Sequence, residues 1–504
     1  MVRLQIMRPS FVLLAAISAI ALIGALLMAN GALLGGPSKD GPERGPKAAA
    51  QDNPEAEEQA EEAEAHAQAF QKAVREGTAG VAAPITLNAA AGWAGEQLVS
   101  AAADDWEPAV AADPKVYANG ASYAYLLTTR YASTKPCPGN CPAPYIALYV
   151  STNAGATWSA GVPLCACKGS GQFDPIIEVV PNTGAVHALY MNGYNIMFIK
   201  SNDHGVTWTA PVKTYGSVSW NDKPILAVSD DGNDVYAVFN GPTGGDPWLA
   251  QSHNGGTTWS QTKLIDSNRY IFAFDGDVDS SGTAYFAMTS ILYGGGGNKG
   301  TTPSGAIEEH VYVLTNAGQT FTDRLVASVQ PGLACVAAGC PPDFYLGHAA
   351  ITAYAPGKVT LLYDGATAAG GLQTISARRS TDAGATWSSA VTISAAGEES
   401  TAPAIEAASA TDIRAWYQQT SGGGNANAWN VWYRTSPDGG LTWTSAVKIS
   451  DASSGAAYKT AAGFAEIYGD YGELAITSTG KSIAAWGEGT SYDGPGGVWF
   501  NRQP

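Results

Sequence analysis

From residue 84 to its end the chain is filled with short runs of alternating apolar and polar residues, each broken by clusters of Gly, Asn, Asp, Ser or Thr. A period of two marks half-buried strands. FDPIIEVV (173–180), AVHALYMN (185–192), YNIMFIKS (194–201) and TWTAPVKT (207–214) are four such runs in succession. DKPILAVS (222–229), NDVYAVFN (233–240), PWLAQS (247–252) and TWSQTKLI (258–265) repeat the set. The pattern predicts four-stranded antiparallel units.

One phrase punctuates these units. Ser151 to Trp158, Ser201 to Trp208, Ser252 to Trp259, Ser380 to Trp387 and Ser436 to Trp443 all read S-x-[DN]-x-G-x-T-W, and Asn316 to Phe321 is a weaker copy. The acidic or amide position falls on Asn153, Asp203, Asn254, Asn316, Asp382 and Asp438. A short Asp or Asn side chain accepts backbone N–H groups across a tight turn, glycine permits positive φ, and the aromatic anchors the next strand. The aromatics at 158, 208, 259, 321, 387 and 443 are spaced 50, 51, 62, 66 and 56 residues apart, enough for one propeller blade per repeat.

After the sixth copy the sequence supplies only three more strands, GDYGELAITS, KSIAAWGE and GGVWFNR. The segment Pro84 to Ala90 resembles the outer strands AVTISAAG and AVKISDAS, so it is the expected fourth strand. The reading is therefore an all-β propeller of seven four-stranded blades over 81–504, closed by pairing an N-terminal strand with the C-terminal three. Six blades with an additional sheet is the alternative.

The first 80 residues differ. Phe11 to Met28 is an uncharged run of 18 residues behind Arg3 and Arg8, the pattern of an export segment. Leu27 disrupts a small-x-small cleavage pattern before Ala29, so residues 1–35 read equally as a signal peptide or a membrane anchor. Either one places the remainder outside the membrane, secreted or anchored, with membrane contact through this segment if it is uncleaved. Residues 36–80 combine a Gly/Pro/charge linker with an acidic helical stalk that Asn53 and Pro54 would start and Gly77 would end.

Composition narrows the partners. Lysine and arginine number 27 against 44 aspartates and glutamates, a formal charge of −17, which repels phosphate backbones and argues against nucleic acid. The six cysteines, Cys137, Cys141, Cys165, Cys167, Cys335 and Cys340, form an even set that an oxidising compartment would pair as disulfides; the C-x₃-C and C-x-C spacings of the first four also fit zinc.

The six phrases resemble the Asp-box, or bacterial neuraminidase repeat, of the sialidase-like propeller superfamily, as carried by secreted bacterial proteins labelled exo-alpha-sialidase. The resemblance spans essentially all of residues 84–504. It implies a propeller that engages a glycan or cell-surface polysaccharide, with glycoside hydrolysis as the enzymatic expectation. Sialidases of that superfamily clamp the sialic-acid carboxylate with three arginines, the first in an Arg-Ile-Pro phrase, and use an Asp acid/base with a Tyr–Glu nucleophile. No Arg-Ile-Pro phrase occurs here, and Arg130, Arg378, Arg379 and Arg434 do not match the family's spacing. A non-catalytic propeller that binds polysaccharide or protein at the envelope is the rival reading.

Aligned on the glycine that ends each first strand, Asp174, Asp222 and Asp470 stand ten residues before Gly184, Gly232 and Gly480, and Glu107 opens the corresponding EPAV strand. First strands line a propeller's channel, so these carboxylates are the catalytic candidates, beside His348 and the Asp275-Gly-Asp277 pair. Crowded carboxylates raise one another's pKa and supply an acid beside a base; they would also suit Ca²⁺, although no cofactor is required. Trp220, Tyr345, His348, Tyr468 and Tyr471 are the expected substrate-binding residues of that mouth. The competing structural role for the same carboxylates is to accept backbone N–H groups from the neighbouring blade.

Overall fold

The computed structural model describes residues 90–100, 105–131, 142–165, 170–242, 245–292, 304–333, 347–421, 429–450, 472–489 and 496–504. The expected export segment, linker and stalk lie outside the described residues. So do Asp470, Tyr345, Tyr468, Tyr471 and five of the six cysteines; the sixth, Cys165, is not a free thiol.

The described residues form seven four-stranded antiparallel sheets. Their innermost strands are Asp105–Ala112, Gln172–Val179, Asp222–Val228, Tyr270–Val278, Ala349–Ala355, Ser400–Ser409 and Glu473–Ile476, for blades 1 to 7 in that order. Each innermost strand packs on that of the next blade and the seventh packs on the first, so the ring is closed. Alternating residues bury one face of every sheet against its neighbour. Leu127, Leu148, Ile177 and Ala188 fill the space between blades 1 and 2, and Tyr285, Val311, Ile351 and Leu361 fill that between blades 4 and 5. The protein is an all-β, seven-bladed propeller.

The closing strand is not where the repeat placed it. Gln97–Leu98 pairs with Phe500 and Trp499 to complete blade 7, and Trp93, 5% exposed, anchors the approach by packing edge-on to Tyr433 at 4.7 Å. Pro84 to Asn88 lies outside the described residues, and Ala90 packs against the core beneath blades 6 and 7. The outermost strands are hard to locate from sequence because five of them, Gln97–Leu98, Val162–Pro163, Val212–Lys213, Val391–Thr392 and Val447–Lys448, pair over only two residues.

The last four of these short outer strands follow from the repeated phrase. In blade 2, Ser201 Oγ donates to Asp203 Oδ1 at 2.8 Å and accepts from the Gly205 N–H at 2.8 Å. Asp203 in turn accepts from the Thr207 N–H at 2.8 Å and from the Thr207 hydroxyl at 2.6 Å. The same network recurs around Asp382 and Asp438, and around Asn153 and Asn254 with the amide donating to threonine. Asn316 lacks the partner serine; its turn is a plain tight hairpin, and the fourth strand there, Thr320–Val329, runs for ten residues.

Four innermost strands share another device. Glu107, Asp174, Lys223 and Ala402 each precede a proline, each has φ between +47° and +53°, and each sits where the pairing to the second strand slips by one residue. The bulge bends the strand and re-aims its side chains, while proline leaves no N–H to satisfy on the edge facing the channel.

Candidate functional site in the axial channel

A cavity of about 640 Å³ occupies the axis of the ring. It runs from the exposed residues Pro114, Pro181, Ala408 and Gly480, at the turns between first and second strands, inward to Phe274, His348 and Ala402. Among the described residues its titratable lining is Glu178, Asp230, Asp275, Asp277, Glu406, Glu473 and His348, with no lysine or arginine.

Register explains the ring of acids. Glu406 pairs with Arg414, the third position of the second strand in blade 6, and Glu178 pairs with His187 and Asp277 with Tyr285, the second position in blades 2 and 4. Ala111 and Ala227 take that place in blades 1 and 3, so larger acidic side chains alternate with small ones around one level of the channel.

Several of these carboxylates tie adjacent blades together, because the inner edge of an innermost strand has N–H groups that no fifth strand takes. The Val110 N–H donates to Glu473 Oε2 at 2.6 Å, Ile351 N–H to Asp275 Oδ2 at 2.8 Å, and Ala353 N–H to Asp277 Oδ2 at 2.7 Å. Burial pushes Asp275 up to about 8 and Asp277 up to about 7, against the pull of those bonds. Burial and the repulsion of Asp277 push Glu406 up to about 8. Glu178 and Glu473 are also held well above the usual carboxylate range by burial and by the other acids. Among the described residues Glu178 makes no hydrogen bond.

His348 sits at the inner end. Its Nδ1 lies 3.3 Å from Asp364 Oδ2 and 3.2 Å from Thr401 Oγ1, and its ring packs on Phe274 at 4.9 Å.

The predicted catalytic carboxylates stand elsewhere. Glu107, Asp174 and Asp222 do come together, with Lys223, where the innermost strands of blades 1 to 3 begin, but they do not line the cavity. Glu107 Oε2 accepts from the Asp174 N–H at 2.9 Å and from the Thr129 hydroxyl, a tie between blades of the same kind as those lower in the channel. Burial and the charge of Glu107 hold Asp174 well above its ordinary range. The glycine-based alignment also fails by one position: Lys223, not Asp222, shares the bulge position of Glu107 and Asp174, and Asp222 falls on the preceding residue. Trp220 stacks on Tyr194 at 5.8 Å away from the cavity lining. His348, Asp275 and Asp277 do line it, whereas Glu178, Asp230, Glu406 and Glu473 were not singled out from the sequence.

The arginines are occupied by structure. Arg130 grips Asp105 through Nε at 2.7 Å and Nη2 at 2.8 Å, Arg378 and Arg434 donate to the hydroxyls of Tyr363 and Tyr417, and Arg379 donates to the Asp438 carbonyl. Among the described residues no group of three or more His, Cys, Asp or Glu side chains is placed to hold a metal ion.

No family model and no curated protein matches the chain. Among solved structures it is similar to a protein of unknown function from Dyadobacter fermentans, at 12% identity over 81% of this chain and 98% of that one, with a TM-score of 0.44. It is similar to the NanB sialidase of Streptococcus pneumoniae at 12% identity over 81% and 69%, with a TM-score of 0.40. It is also similar to a polysaccharide lyase, an ulvan lyase, at 12% identity over 79% and 94%, with a TM-score of 0.46.

Proposed function

We propose that the chain is an exported propeller that takes an uncharged glycan into its axial cavity. The observation that carries this reading is the cavity's titratable lining among the described residues: carboxyl groups and one imidazole, with no lysine or arginine. Sugar hydroxyls can bond to carboxyl and imidazole groups in either direction. A sialic-acid or uronic-acid carboxylate would enter a field of its own sign with no cation to offset it, so the sialidase form of the family resemblance is disfavoured. Location outside the membrane rests on the uncharged run at residues 11–28 and on the cysteine count.

Binding is favoured over hydrolysis because Asp275, Asp277 and Glu473 are committed to backbone N–H groups. If the site is hydrolytic, the acid and base fall to Glu178 and Glu406, on blades 2 and 6, whose charges feel each other across the channel. The test is a panel of neutral and sialylated glycosides, scored for binding and for fluorogenic turnover by the full-length chain. Binding of neutral sugars without turnover is the expected result. Turnover that disappears in Glu178→Gln/Glu406→Gln would make the protein a hydrolase, and binding confined to sialosides, or absent throughout, would overturn the reading.

A further inference from the structure

We infer that His348 is the fixed hydrogen-bond acceptor of the axial cavity, an imidazole held in one tautomer with its Nε2 lone pair presented to the ligand. Asp364 is fully buried and accepts four bonds: from the His348 and Ala402 N–H groups at 2.9 and 3.3 Å, from Gln373 Nε2 at 2.9 Å and from Thr401 Oγ1 at 2.6 Å. The Thr401 proton is therefore spent on Asp364. Toward His348 Nδ1, at 3.2 Å, the threonine oxygen can only accept, and so can the Asp364 oxygen at 3.3 Å. Both contacts place the ring's proton on Nδ1.

In that tautomer the lone pair is on Nε2. Among the described residues Nε2 has no hydrogen-bond partner, and it is not among their buried atoms lacking one, so it is open to the cavity that His348 lines. The surrounding carboxyl groups held above their ordinary range are protonated for part of the neutral pH range and then donate, while the His348 tautomer supplies an acceptor. The site thus offers a sugar both donors and a fixed acceptor. Orienting an imidazole through a buried carboxylate is a general way to set which nitrogen does chemistry.

Assigning His348 a ligand rests on the glycan reading; its tautomer does not, and the experiment separates the two. Full-length chain labelled with [¹⁵N]histidine is examined by long-range ¹H–¹⁵N correlation at neutral pH, with His348→Gln assigning the resonance. The expected pattern is a protonated Nδ1 and a bare Nε2, kept in Thr401→Val because Asp364 Oδ2 still accepts, and mixed in Asp364→Asn, whose amide can donate to Nδ1. A protonated Nε2 in the wild-type ring overturns the inference. With the neutral glycosides of the panel added, Nε2 should shift, and His348→Gln should weaken binding roughly tenfold, the loss of one good hydrogen bond. The Nδ1–H pattern with no shift from any sugar keeps the acceptor and retires the glycan reading.

Discussion

Lowering the pH from about 8 toward about 5 should make this propeller more stable, against the usual trend for a protein rich in carboxylates. Asp275 and Glu406 are pushed up to about 8 and Asp277 to about 7, so the folded state keeps protons that the unfolded chain, at ordinary carboxylate values near 4, releases. Their contribution is fully present below the unfolded value and is lost as pH rises through the folded one. The phrase aspartates act in the opposite sense: the hydrogen bonds of Thr207 and Ser201 hold Asp203 down at about 2, so its contribution is lost only below about 4.

The window between about 4 and 8 therefore belongs to the channel. One retained proton is worth about 1.4 kcal/mol per pH unit, and because the cavity is open at one end we expect a slope near that of a single proton rather than of three. Glu178→Gln should raise stability at pH 8 and flatten the slope, since it removes a carboxyl that burial and the other acids hold well above its ordinary range, without breaking a side-chain hydrogen bond. Urea unfolding across the window checks both. Stability that climbs with pH between about 5 and 8 would contradict this description of the channel.

The second large effect concerns how the blades are fastened. Gly256, in the phrase of blade 3, has φ of +79°, and a Cβ there would lie 2.0 Å from Phe198 Cε1 of blade 2. Phe198 is 1% exposed and held between Trp259 at 5.3 Å and His187 at 5.2 Å, so it cannot step aside. Gly256→Ala should cost about 3 kcal/mol, combining left-handed strain of about 1–2 with overpacking of about 1–3. Gly397 supplies the control: its φ is +81° but nothing lies within 4 Å, so Gly397→Ala should cost only the strain, about 1 kcal/mol. Equal losses in the two variants, measured by urea unfolding, would mean that the phrase shapes a turn without latching one blade to the next.

The difference between what the sequence disclosed and what it withheld lies in register. Strand alternation and the repeated phrase are local, and they were enough for seven blades. The channel acids depend on which residue faces inward, and one bulge in an innermost strand shifts that by a position. Glu178 and Glu406 each stand four residues after the residue preceding proline, Asp174 and Ala402, and an alignment on those prolines would have found them. Counting from the terminal glycine instead paired Asp222 with Asp174. His348 was legible as a polar residue at a blade entrance, but its partner Asp364 lies at the far end of the second strand of blade 5, and only folding brings them together.

The proposed binding site is the axial cavity, whose acidic lining would select against anionic sugars. Ala408 is exposed and lines the cavity's outer end, at a bulge in its strand two residues beyond Glu406, so Ala408→Trp should obstruct the entrance without disturbing the core. Calorimetric titration of the full-length chain and of Ala408→Trp, each with a neutral oligosaccharide and its sialylated counterpart, tests this selection. The neutral sugar should bind the wild-type chain, the sialylated one should not, and Ala408→Trp should abolish binding. Binding that survives Ala408→Trp, or that prefers the sialylated sugar, would place the site outside the channel.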